Sequence, residues 1–167
     1  MFLFKKNNKQ IYSGNYSIEN FKLVKKLCLN NETISETELH YNFPFNFYHS
    51  IYLNRRQFFF ELECVSLLKG KHELIADGSI YKIVMHKKKA SIFKDQIQIG
   101  YFEENLFDYM GGHGIKIVLN NDVNEVLICS IVMALRCNFQ NDYSSFSINL
   151  GNFGSEETKF DSSWRPI

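Results

Sequence analysis

Between Val126 and Leu135 the chain reads Val-Leu-Ile-Cys-Ser-Ile-Val-Met-Ala-Leu, with Ser130 the one polar residue. A helix drawn through this run is apolar on every side, and no polar stripe returns before Arg136. Such a helix needs either protein or lipid all round it. The run is ten residues, whereas a bilayer needs roughly 20, so the expected place is a protein interior. Asp122 is the expected cap, with Glu125 three residues on reaching back as in a capping box. Ser130 is expected to bond the carbonyl four residues back, which satisfies a buried hydroxyl.

The other segments read as short strands. Phe2-Leu-Phe4 and Ile11-Tyr12, split by polar residues, suggest an opening hairpin. Residues 17–30 are ambiguous: Ile18, Phe21, Val24 and Cys28 fit a helical face opposite Lys22, Lys25 and Lys26, and Ser17 would cap it. Phe21, Leu23, Leu27 and Leu29 fit strand alternation instead, and the strand-rich sequence that follows favours it. Leu39, Tyr41, Phe43, Phe45 and Phe47 alternate, with Pro44 implying an edge or a bulge. In the next strand Phe58, Phe60, Leu62 and Cys64 alternate with Phe59, Glu61, Glu63 and Val65.

Turns are expected at Lys69-Gly70-Lys71, at Asp77-Gly78, at His86 to Lys89 and near Lys94-Asp95, with Asp-Gly the strongest hairpin signal. Gly111-Gly-His-Gly114 reads as a loop before a last strand carrying Ile115, Ile117 and Leu119. After Asn138 the chain is polar and irregular, with room for one strand at 143–150 and a tail from Gly151 pinned by Trp164. Many short strands point to a sandwich or a barrel, and a barrel closed round residues 122–137 would house the helix.

Composition sets limits on function. The chain has 167 residues, enough for one domain with a real core. Its aromatic content of 16% suits strands. The formal net charge is +1, so nothing global draws it to nucleic acid. Cys28, Cys64, Cys129 and Cys137 form no C-x-x-C pair and read as reduced thiols. The N-terminal Met1-Phe-Leu-Phe-Lys-Lys6 lacks the apolar length of a signal peptide. A cytoplasmic protein with no transmembrane segment is expected, peripheral to a membrane if it binds lipid.

Three stretches, Tyr81-Lys-Ile-Val-Met85, Ser91-Ile-Phe-Lys-Asp-Gln-Ile-Gln-Ile-Gly-Tyr-Phe102 and Asp122–Cys137, resemble the tubby C-terminal-like superfamily. That group takes in tubby proteins, phospholipid scramblases and LURP-one-related proteins, and the likeness spans residues 35–138. It implies a mainly β fold, a closed antiparallel barrel of about twelve strands around one central hydrophobic α-helix, with no open sheet edge. It also implies a single domain over residues 1–150, an irregular tail over 151–167, and a non-enzymatic module that binds a phosphorylated lipid head group. The chain departs from the group in lacking the proline- and cysteine-rich segments of scramblases and the closing motif of tubby proteins.

The candidate ligand-binding residues are basic: Arg55 and Arg56 before a strand, Lys69 and Lys71 around a glycine, and Lys87, Lys88 and Lys89 at a turn tip. If two of these groups met at one end of the barrel they would hold a phosphate, Arg by paired contacts and Lys as point charges. The competing reading is that hairpin tips carry lysines for solubility and edge protection. In a strand, Arg55 and Arg56 would face opposite sides, which weakens a joint site.

His113 lies between glycines with no nucleophile at a telling spacing, and His40, His49, His72 and His86 lack partners at metal-ligand spacing. Asn120 to Glu125 has too few acids for a calcium loop. No phosphate-loop, dinucleotide, zinc-protease or nucleophile-elbow motif is present. No catalytic residue, metal or cofactor is therefore expected. Two other roles fit the sequence: a protein-interaction module docking through the aromatics of 139–164, and a barrel carrying a small apolar ligand with the helix outside as a lid.

Overall fold

The computed structural model describes residues 2–6, 9–19, 22–42, 46–66, 70–86, 89–105, 113–136 and 159–167. Eleven strands and one helix lie within them: β1 (Phe2–Lys6), β2 (Lys9–Glu19), β3 (Lys22–Leu29), β4 (Glu32–Asn42), β5 (Asn46–Leu53), β6 (Phe58–Ser66), β7 (Lys71–Ala76), β8 (Ser79–Met85), β9 (Lys89–Lys94), β10 (Ile97–Asn105), β11 (His113–Leu119) and α1 (Glu125–Arg136). The protein is mainly β, as its aromatic content and alternation imply. Residues 17–19 fall in β2 and 22–29 in β3, so the strand reading holds for the described part of that stretch.

Each strand from β2 to β11 pairs antiparallel with the next in sequence, and β1 pairs antiparallel with β2 and parallel with β11. The ladder of hydrogen bonds thus returns to its start. Local chemistry explains the hairpins. Asp77 and Gly78 have φ of 52° and 73°, the two left-handed residues that a two-residue hairpin matching the strand twist requires. Asn30-Asn31 and Asp95-Gln96 adopt the same pair of conformations. Asp95 is held there because its Oδ1 accepts the Ile80 amide at 2.9 Å. At Gly100 β10 and β11 approach so closely that a Cβ would strike the Leu119 side chain and the Val118 carbonyl.

Register puts side chains in rows across the inward face. One row runs Ile83, Ile92, Gly100, Leu119, and another Ala90, Phe102, Ile117. Between β3 and β6 the rows change character: Lys25, Thr37, Ile51, Phe60 and, beside it, Leu27, Ser35, Leu53, Phe58. Helix α1 packs against β3, β4 and β5. All residues from Leu127 to Ala134 are buried, five of them at 0% exposure. A fully buried Leu, Ile or Val stabilises by about 1.5–3 kcal/mol, so one short helix supplies a large share of the core. Ser130 Oγ donates to the Val126 carbonyl at 2.7 Å, as its position implies.

Several expectations need correction. The helix cap is Asn124 rather than Asp122: Asn124 Oδ1 accepts the Leu127 amide at 3.1 Å, and its carbonyl takes the first helical bond from Ile128. The helix begins at Glu125, three residues past Asp122, which leaves Asp122 exposed in the preceding turn. The alternating run from Leu39 to Phe47 is two strands, with Asn42 facing Asn46 across β4 and β5. His113 and Gly114 begin β11, where they pair with Phe2 and Leu3, instead of lying in a loop. The possible strand at 143–150 and the residues Phe43, Phe45, Gly111 and Cys137 lie outside the described residues.

Candidate cleft at the β5–β6 turn

Arg55 and Arg56 do not sit in a strand. They occupy the turn between β5 and β6, where Asn54, Arg55 and Arg56 all have positive φ, 49°, 56° and 70°. The left-handed region costs a residue with a Cβ about 1–2 kcal/mol, so this turn is strained and must be held by its surroundings. Asn54 N donates to the Ile34 carbonyl at 3.1 Å and Gln57 N to the Asn54 carbonyl at 3.3 Å, closing the turn against β4. Arg56 completes the hold: its Nε reaches Glu36 Oε2 at 3.1 Å, its Nη2 reaches Glu38 Oε1 at 3.1 Å, and its guanidinium stacks 4.6 Å over the Tyr52 ring.

The turn forms one wall of an open cleft of ≈ 450 Å³ whose other wall is the start of β4, from Glu32 to Glu36. Arg55, Arg56, Glu32, Thr33, Glu36 and Tyr52 line it, and Ser35, which borders it, keeps its hydroxyl buried. Arg56 and Glu36 are tied to each other. Arg55 and Glu32 are exposed and make no hydrogen bond or ion pair among the described residues. Beside the turn, Phe58 and Phe59 are 51% and 50% exposed at the head of β6.

The other basic candidates lie elsewhere. Strands β6 and β8 run away from the Arg55 end, so Lys71 and Lys89, at the starts of β7 and β9, share the opposite end of the sheet. Lys89 is engaged there: its Nζ lies 2.8 Å from Glu103 Oε2 and 4.8 Å over the Phe160 ring. Lys69, Lys87 and Lys88 fall outside the described residues. The fold thus joins Arg55 with Arg56, brings the strand ends bearing Lys71 and Lys89 to one end, and keeps the two groups apart.

A second polar grouping is buried, and the sequence reading did not single it out. Lys25 is 1% exposed, and its Nζ donates to the Ala134 carbonyl at 2.6 Å, at the C-terminal end of α1. A cation there answers the negative end of the helix dipole. His49 is 2% exposed, and burial together with the nearby Lys25, His72 and His40 charges pulls its pKa down to about 3. Burial likewise pulls His72 down to about 4. Both imidazoles are therefore neutral at pH 7, and Nδ1 of each has no partner among the described residues, like Ser35 Oγ and Thr37 Oγ1. At the other end of the helix Tyr12, buried and bonded to Glu125, has its phenol pushed up to about 12.

Among the described residues no group of three or more His, Cys, Asp or Glu is placed to hold a metal ion. No described helix is long and apolar enough to cross a membrane. The tail is pinned as Trp164 suggests: its indole Nε1 donates to the Gln98 carbonyl at 3.2 Å, and its ring meets Tyr101 edge-on. Fold and site together define a mainly β chain with one buried helix and an open cleft of mixed charge. No family model matches the chain, and no curated protein or solved structure matches it either.

Proposed function

We propose that this chain is a non-enzymatic module of the tubby-like kind, a closed barrel around a central helix, that holds a phosphorylated lipid head group in the β5–β6 cleft. The return of the strand ladder through β1 and β11, and the burial of α1 from Leu127 to Ala134, support the architecture. The observation that carries the function is the strained Asn54-Arg55-Arg56 turn, which presents a guanidinium to an open cleft beside two exposed phenylalanines. Strain kept at non-glycine residues is commonest where a site needs the side chain held there. Arg offers a phosphate paired donors, and Phe59, half-exposed beside Tyr52, would enter the acyl boundary as the head group seats.

The rival roles have less support. An apolar-ligand carrier needs an open interior, and the burial of α1 from Leu127 to Ala134 favours a filled one. Of the tail's aromatics, the two among the described residues, Phe160 and Trp164, are packed on Tyr101 rather than free to dock a partner. Co-sedimentation with phospholipid vesicles tests the proposal. The chain should pellet with vesicles, and Arg55→Ala and Phe59→Ser should each reduce pelleting while the thermal transition is retained. Failure to pellet with vesicles of any phospholipid composition at low salt sinks it.

A further inference from the structure

The charges of the cleft say which head group it would take. Two guanidinium and two carboxylate groups line it, Arg55 and Arg56 against Glu32 and Glu36, so its formal charge is zero. One pair is consumed internally, because Arg56 is bound by Glu36 and Glu38 and stacked on Tyr52. Among the described residues, what faces a ligand is one unpaired cation, Arg55, and one unpaired anion, Glu32. A head group with several phosphates would meet as many carboxylates as guanidinium groups, and like charges brought together oppose binding. A head group with one phosphate and one ammonium meets each of its charges with the opposite one.

From this we infer that the cleft selects a zwitterionic phospholipid, with the phosphate on Arg55 and the ammonium at the Glu32 carboxylate. The inference rests on the proposed lipid-binding role and narrows it to one class of head group. Thr33 adds a hydroxyl to the lining of the cleft, which can donate to a phosphate oxygen without adding charge. Because the paired charges are one of each sign, binding should change little between low and high salt, unlike attachment through a basic patch.

Three vesicle sets separate the outcomes: phosphatidylcholine with phosphatidylethanolamine, the same with phosphatidylserine, and the same with a phosphoinositide. Each is run with the full chain, Arg55→Ala and Glu32→Gln, both at exposed positions, with the thermal transition of each variant measured alongside. The expected result is pelleting with the zwitterionic set at low and at high salt. Each variant should weaken it about tenfold, the loss of one charge-assisted contact, and Glu32→Gln should improve binding to the anionic sets. Pelleting only with anionic vesicles, lost at high salt and indifferent to Glu32→Gln, overturns this inference and leaves the lipid-binding proposal standing. Absence of pelleting with every set removes both.

Discussion

The inward face has two sectors that the same helix must satisfy. From β8 to β11 it is apolar: Ile83, Ile92, Phe102, Ile115 and Ile117 are buried at 6% exposure or less. From β3 to β5, and reaching β7, it carries Lys25, Ser35, Thr37, His49 and His72 among apolar neighbours. Burying an ion costs several kcal/mol, and the carbonyl end of α1, through the hydrogen bond to Ala134, helps to receive the Lys25 charge. The apolar sector supplies stability without direction, since hydrophobic burial is indifferent to rotation of the helix. The polar sector sets where the helix ends and which way round it sits.

Truncation should separate the sectors most sharply. Phe102→Ala in the apolar sector is expected to cost about 3–5 kcal/mol, the transfer term plus the cavity left behind. Thr37→Val, which removes a buried hydroxyl with no partner among the described residues, should be neutral or stabilising, because the unmet hydrogen bond is itself a cost. Urea denaturation of the two variants measures both. A Thr37→Val loss as large as that of Phe102→Ala would show that the polar sector is a bonded network and not a set of tolerated groups.

Between pH 6.5 and 5, above the range where carboxylates titrate, acid should act mainly on the polar sector. His49 and His72 have folded pKa values of about 3 and about 4, against about 6.5 in an unfolded chain. Their folded values are depressed, so their contribution is complete above pH 6.5 and is lost as pH falls toward 4 and then 3. In that window each histidine should lower stability by up to about 1.4 kcal/mol per pH unit. His49 is the more exposed to charge repulsion, since Lys25, His72 and His40 all face it. His49→Leu should flatten this acid limb in denaturation measured from pH 7 to 4, and an unchanged slope would contradict the neutral burial of His49.

The same division explains what could be read from the sequence. Val126 to Leu135 announced its burial because no solvent-facing helix lacks a polar stripe, and β6 announced its outward acids by strict alternation. Lys25 was hidden by its own charge. The strand pattern Phe21, Leu23, Leu27, Leu29 has a gap at 25, and filling that gap with an inward-pointing lysine is the reading that alternation requires. Nothing local revealed the acceptor, the Ala134 carbonyl 109 residues away. Of the candidate site, Arg55 and Arg56 were legible as a basic pair. Their place in a turn was not, because no Gly or Pro marks Asn54 to Gln57, and neither were Glu32 and Glu36, which β4 brings across from the preceding hairpin.

At the entry to the helix a smaller effect tests whether orientation is also fixed from the N-terminal side. Asn124→Ala removes the acceptor of the Leu127 amide and should cost about 1 kcal/mol. Asp122→Ala, at an exposed position in the turn before it, should cost a few tenths of a kcal/mol at most, through weaker interaction with the helix dipole. The reverse ranking in thermal denaturation would move the cap back to Asp122.

A change of stability in the opposite direction ties strain to function. Arg55 has φ of 56°, and glycine adopts that conformation without steric cost. Its guanidinium makes no hydrogen bond or ion pair among the described residues, so its replacement breaks no contact of the fold. Arg55→Gly should therefore raise stability by up to about 1 kcal/mol, the left-handed penalty less the extra freedom glycine gives the unfolded chain. If the side chain is there for a ligand, the same variant should lose vesicle pelleting about tenfold. A rise in Tm with unchanged pelleting would mean that the strain serves the turn and not the cleft. A fall in Tm would mean that Arg55 supports the β5–β6 turn, as Arg56 does through Glu36 and Glu38.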